Sequence, residues 1–200
     1  MIRFDGRSEV CTEKDNIAYE ISIINNCVLF CKGAVFQGKR LLESLNARDD
    51  NFRELLQLEE EFFVFALDRA IFHIKMINSK SEFNNIIQQV NENIGLENVK
   101  DVRDMRTHID NYKNKKGREQ KRFFASPDID SPIFRNKPNI DATSSIMIDK
   151  HYMIGGRIDF YKALELLEKI LPDIEKLCQS RRFELVKLQR KKKQEDSPNE

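Results

Sequence analysis

The chain has almost no net charge. Its 200 residues carry 34 Lys and Arg against 33 Asp and Glu, a formal balance of +1. No global positive field therefore draws it to nucleic acid, and any such binding has to come from a local patch. A long apolar run free of charge is also missing, so no membrane span is expected, and no basic-plus-apolar leader is seen. Cysteine is scarce, with four in the chain. Cys27 and Cys31 stand four apart on an expected helix, but no second pair or nearby histidine completes a tetrahedral set. Reduced, buried thiols in a cytoplasmic protein are expected, with no metal and no cofactor. Gly155-Gly156 is not followed by the Gly-Lys-Ser/Thr ending of a phosphate loop. No internal repeat is visible. Strands do not alternate with helices, which argues against a nucleotide-binding parallel sheet.

What the chain does have is apolar residues at helical spacing. In "TEKDNIAYEISIINNCVLFCKGAVFQGKRLLESLNA", Ile17, Ile21, Ile24, Val28, Val35, Leu42 and Leu45 lie on or near one stripe. Gly33 and Gly38 weaken this helix or admit a close neighbour. "DDNFRELLQLEEEFFVFALDRAIFHIKMINS" reads as a second long helix opened by acidic and Asn caps. "SKSEFNNIIQQVNENIG" reads as a shorter third, ended by Gly95. A fourth is expected from roughly Asn98 to Asn114. Three prolines and many turn formers then mark a long loop, followed by two β-rich runs around Asp149-Lys150 that predict a hairpin. Gly155-Gly156 predicts a bulge or a close backbone approach. Asp159 is positioned to cap a long last helix that Pro172 is expected to kink or divide.

The expected fold is mainly α: a single domain, 1–200, built as a helical bundle of about five helices with a small β-hairpin insertion before the last helix. Loop and hairpin occupy about 118–158, and 190–200 is expected to be a frayed polar tail.

The stretch "DVRDMRTHIDNY", Asp101 to Tyr112, holds two Arg, three Asp and one of only three His in the chain. With roughly 100° of turn per residue, Val102, Met105, Ile109 and Tyr112 form the core-facing stripe, and Val99 adjoins it. Asp101, Asp104 and His108 fall on one flank at spacings of three and four, where side chains can touch. Arg103 projects roughly 140° from His108 on an ideal helix. A carboxylate beside an imidazole fixes its tautomer and favours its protonated form; an exposed helical pair worth a few tenths of a kcal/mol is the alternative. His73, in an apolar run, reads as a core or boundary residue, and His151 as a surface turn.

Arg103-x4-His108, with Asp104 directly after the arginine and an α-bundle around it, resembles the motif of the HEPN superfamily, many of whose members are metal-independent ribonucleases. The resemblance implies that Arg103 and His108 are the catalytic pair and Asp104 their polar companion, Asp standing where Asn is common in the family. It also implies a homodimer and an RNA substrate. The setting it suggests is that of a toxin or antiphage component with a cognate antitoxin or regulatory protein. On chemical grounds, His108 serves as base or acid and Arg103 clamps the phosphate; one imidazole does not readily serve both faces of an in-line displacement, whereas a two-fold pair supplies two.

Next to the motif, "KNKKGREQKR" holds six basic residues and one acidic. Lys113, Lys115, Lys116, Arg118, Lys121 and Arg122 either grip RNA phosphates or form a solvated helix end suited to the dipole. Phe123 and Phe124 either stack on bases or pack in the core. A non-catalytic helical interaction or regulatory module, antitoxin-like or a nucleotide-binding accessory protein, is the competing function.

Overall fold

The computed structural model describes residues 13–47, 50–77, 83–129 and 137–195. Three long helices build the bundle: α1 (Glu13–Asn46), α2 (Asp50–Ile77) and α6 (Phe160–Glu195). Between them stand α3 (Asn84–Asn93), α4 (Leu96–Thr107), α5 (Ile109–Lys113) and five short strands, β1 (Phe124–Ala125), β2 (Ile140–Asp141), β3 (Ser145–Ile148), β4 (His151–Ile154) and β5 (Ile158–Asp159). The mainly helical bundle with a small antiparallel β insertion before the last helix is thus the architecture of the chain.

α1, α2 and α6 share one core. Phe63, Leu67 and Ile74 of α2 are fully buried with Ile24, Leu41, Phe160 and Leu167. Removing such a side chain from water contributes about 1.5–3 kcal/mol. Phe63 and Phe160 meet edge to face, centroids 5.1 Å apart. Gly38 makes this possible: a Cβ there would lie 2.7 Å from Leu164 Cδ1 and 3.1 Å from Phe63 Cε2. Gly33, by contrast, has nothing within 4 Å of where its Cβ would be. Cys27, Cys31 and Cys178 are buried free thiols at the α1–α6 contact.

By length and composition alone, α1 (from Ile17 to Asn46) is apolar enough to cross a membrane, although no charge-free run marks it in the sequence. In the fold it packs on α2 and α6 through Ile24, Cys27, Cys31, Ala34 and Leu41. Its outer Lys32 and Lys39 bridge to Glu175 and Glu168 of α6.

The structure refines four local expectations. Pro172 lies inside one continuous α6 and does not divide it. It sits on the exposed side, while Ile170, Ile174 and Cys178 anchor the helix from the buried side. Of the tail 190–200 expected to fray, residues 190–195 continue α6 and 196–200 lie outside the described residues. The expected fourth helix is two, α4 and α5, broken at His108. Lastly, the hairpin is two strands of a three-stranded sheet, β3-β4-β5, with a separate β1-β2 pair.

The β3–β4 turn is Asp149-Lys150, as the spacing predicts, with Ile148 opposite His151. Asp149 takes a φ of 51°, a left-handed conformation that Asp tolerates better than most residues. Gly155 and Gly156, at φ 57° and 68°, carry β4 into β5. A Cβ on Gly155 would sit 2.7 Å from Val102 Cγ2. Gly155 therefore allows the sheet to press directly against α4, and Gly156, whose Cβ would lie 3.0 Å from Ala125 O, lets it approach the β1-β2 pair. Asp159 caps α6: its Oδ1 accepts from Lys162 N at 3.4 Å, and its Oδ2 pairs with His151 Nδ1 at 2.6 Å.

Candidate active site at a broken helix

Gly95, at φ 78°, ends α3 and turns the chain into α4. α4 joins the core that α2 fills through Val99 and Val102, while Met105, 1% exposed, turns to a second cluster with Tyr112, Phe123 and Ala142. It stops at Thr107, because His108 has φ −116° and ψ 33°. The chain then resumes as α5, and Tyr112 becomes the pivot of the next turn. Gln120 Nε2 donates to Tyr112 O at 3.1 Å, and Gly117 N donates to Gln120 Oε1 at 3.1 Å. Phe123 stacks on the Tyr112 ring at 5.4 Å and is buried with it and Met105. Phe124 is 52% exposed. Of the two aromatics, one packs in the core and the other faces outward.

The fold-back encloses a cleft of about 480 Å³, whose walls include Lys100, Asp101, Asp104, His108, Arg118 and Arg122. Asp101, Asp104 and His108 thus line one space. The expected Asp104–His108 side-chain contact is absent. Asp104 Oδ1 instead takes Arg103 Nη1 at 2.8 Å. His108 is exposed and makes no side-chain hydrogen bond among the described residues. The helix break explains this, since His108 no longer projects at the regular i,i+4 position.

Arg103 does not line the cleft. Besides Asp104, its Nε lies 3.3 Å from Asp68 Oδ2 of α2, poorly aligned for a hydrogen bond. Of the six basic residues next to the motif, Arg118 and Arg122 line the cleft. Lys113, Lys115, Lys116 and Lys121 are exposed but do not line it. Arg122 Nη2 lies against Asp101 Oδ2 without the alignment of a hydrogen bond. Its backbone carbonyl accepts from Arg157.

Burial holds the Asp101 carboxyl above the usual carboxylate range, with Arg122 and Arg157 pulling the other way. A folded-state pKa above the unfolded one contributes stability that is fully present below the unfolded value and lost as pH rises through the folded value. Asp101→Asn is therefore expected to be at least as stable as the wild type at neutral pH, and to lose that advantage in mild acid. Thermal melts of both proteins at several pH values check this. A variant destabilised most at neutral pH contradicts it.

The polar centre that the sequence did not disclose is Arg106. Its side chain is 4% exposed. Nη2 donates to Glu60 Oε1 at 2.5 Å, Nη1 to Glu61 Oε1 at 2.9 Å, and Nε to Ala142 O at 3.0 Å. Glu60 also accepts from Tyr152 OH at 2.6 Å and Ser145 Oγ at 2.8 Å. Burial, then the Glu60 carboxylate, pushes the Tyr152 phenol well above its usual range, so it remains a donor. This cluster ties α2, α4 and the β3-β4 hairpin together and fixes the motif helix in place. A signal existed: Arg106 continues the 99-102-109 spacing of the apolar stripe, and "EEE" at 59–61 is a dense run of acid on α2.

The remaining histidines are placed elsewhere. His73 stacks on Phe30 with centroids 5.0 Å apart, and burial, helped by Arg69, pushes its pKa down. His151 is held by Asp159. Among the described residues no group of three His, Cys, Asp or Glu could hold a metal ion.

Comparison with protein-family models, with curated proteins and with solved structures yields no match to this chain.

Proposed function

We propose that the chain is a metal-independent RNA endonuclease of HEPN type, acting as a two-fold pair. The single observation that carries this reading is His108: an exposed imidazole at a helix break, on the wall of a cleft that also holds Lys100, Arg118 and Arg122.

One imidazole takes the ribose 2′-OH proton as O2′ attacks phosphorus. The partner copy's imidazolium protonates the leaving O5′ as the P–O5′ bond breaks. The products are a 2′,3′-cyclic phosphate and a 5′-hydroxyl. Lys100, Arg118 and Arg122 stabilise the charge that grows on the phosphoryl oxygens. Arg103 acts indirectly. Its guanidinium is ion-paired with Asp68 and Asp104, so it serves as a positioning residue that holds Asp104 off the imidazole. RNA cleavage by the wild type, set against His108→Ala, tests the proposal. In a cell such an activity calls for restraint, so a cognate antitoxin or regulatory protein belongs to the proposal.

The exposed lysines beside the motif extend the phosphate track. Neutralising Lys115, Lys116 and Arg118 together is expected to weaken RNA binding across sequences. It should also lower the slope of log affinity against log salt by roughly 0.7 per lost contact on a single strand. Unchanged affinity and slope would assign these residues to ordinary surface.

A second reading, a non-catalytic interaction module, draws on the cleft's carboxylates. Glu97, Asp101, Asp104 and Glu119 face its three cations. Under that reading RNA is neither bound nor cut, and the same assays separate the two.

A further inference from the structure

We infer that two copies of the chain pair through an exposed apolar seam on α2, packed antiparallel. Leu55, Leu58, Phe62, Phe65, Arg69 and Phe72 follow one another at alternating spacings of three and four, the repeat of a helix–helix seam. The five apolar members are each 46–51% exposed. They are not the side that holds the monomer together, because Phe63, Val64, Leu67, Ala70, Ile71 and Ile74 fill the core from the other face. α2 is therefore apolar on two faces, and among the described residues only one of them is covered.

The area fits a second copy. α1 adds Leu29 and Phe36, 62% and 63% exposed, beside the Phe30 that stacks on His73 of α2. Seven large side chains, each leaving about 100 Å² to water, give roughly 700 Å² per copy, against about 800 Å² per partner in a standard interface. Gly33 lies between Leu29 and Phe36 with open space above it, a notch in the helix surface.

Charge permits the approach. Three carboxylates that flank the seam among the described residues are already paired within the chain: Glu59 with Arg40, Glu61 with Arg106, and Asp68 with Arg103. Arg69, the cation of the seam among the described residues, lies over the Phe65 ring at 5.5 Å. It also sets the direction. In-register parallel helices would set Arg69 against its own copy. An antiparallel pair places it near Leu58, sets Leu55 opposite Phe72, and brings Phe62 of one copy against Phe65 of the other at the two-fold axis. The pairing deepens the RNA reading by naming the surface that joins two copies of His108 in one particle, yet it stands on α2 alone.

Sedimentation of the full chain over a range of concentrations tests it. The wild type is expected at twice the monomer mass, and Phe62→Glu and Phe65→Glu at the monomer mass with unchanged helical circular dichroism, since both positions are half exposed. Arg69→Leu, which completes the apolar seam, is expected to tighten the dimer several-fold. That opposite sign cannot come from unfolding. A wild type that stays monomeric, including one that instead floats with vesicles of zwitterionic and anionic phospholipid, overturns the proposal. So does a dimer indifferent to all three substitutions. His108→Ala should leave the dimer intact, so this pairing and the nuclease reading can fail separately.

Discussion

Arg106→Met should destabilise the chain by about 3–5 kcal/mol, the usual cost of stranding one partner of a buried ion pair. The substitution keeps most of the apolar stem but leaves Glu60, itself 4% exposed, with only Ser145 and Tyr152 as donors among the described residues. It also leaves the carbonyl of Ala142 without its guanidinium donor. For a chain of this size each kcal/mol lowers Tm by about 2–4 °C, so the loss is read directly from a melt or a denaturant curve. Adding Glu60→Gln to Arg106→Met should recover part of the stability, because the second change removes the stranded charge. A loss below about 1 kcal/mol for Arg106→Met, the size of an exposed pair, would contradict the clamp.

His108→Ala should abolish RNA cleavage while leaving the fold alone. A positioned acid or base contributes about 10²–10⁴ in rate, and a pair in which both copies are altered loses both contributions. The side chain is exposed and bonded to nothing among the described residues, so its removal should change stability by no more than about 0.5 kcal/mol. Arg103→Ala should act differently. It frees Asp104 to reach the imidazole and leaves Asp68 unpaired, so activity should fall less than in His108→Ala and the pH profile of cleavage should shift. Equal losses with unshifted profiles would mean that Arg103 touches the phosphate itself.

Local rules wrote much of this fold into the sequence. The apolar stripes of α1 and α6, the left-handed Gly95 after α3, the two-residue Asp149-Lys150 turn and the Asp159 cap are each decided by neighbours within a few residues. What stayed hidden depends on distant partners. His108 ends α4 because the chain must fold back through Tyr112, Gly117 and Gln120, and no helix-breaking residue marks the place. Nothing near Arg106 in the sequence marks it as buried, since the Glu60 that neutralises it is 46 positions away. α2 read simply as a long helix. Only once its core face is identified does the second apolar stripe, from Leu55 to Phe72, become conspicuous. Of the candidate site, the flank shared by Asp101, Asp104 and His108 was legible from helical spacing alone. The turning of Arg103 toward α2 was not, because it depends on Asp68.

The most direct measurement is the chemistry of the cut ends. Purified wild-type chain incubated with single-stranded RNA in the presence of a chelator should leave 2′,3′-cyclic phosphate and 5′-hydroxyl termini, and His108→Ala prepared identically should leave the RNA whole. If the wild type does not cut, or the variant cuts equally well, His108 is a surface histidine and the cleft has no hydrolytic role.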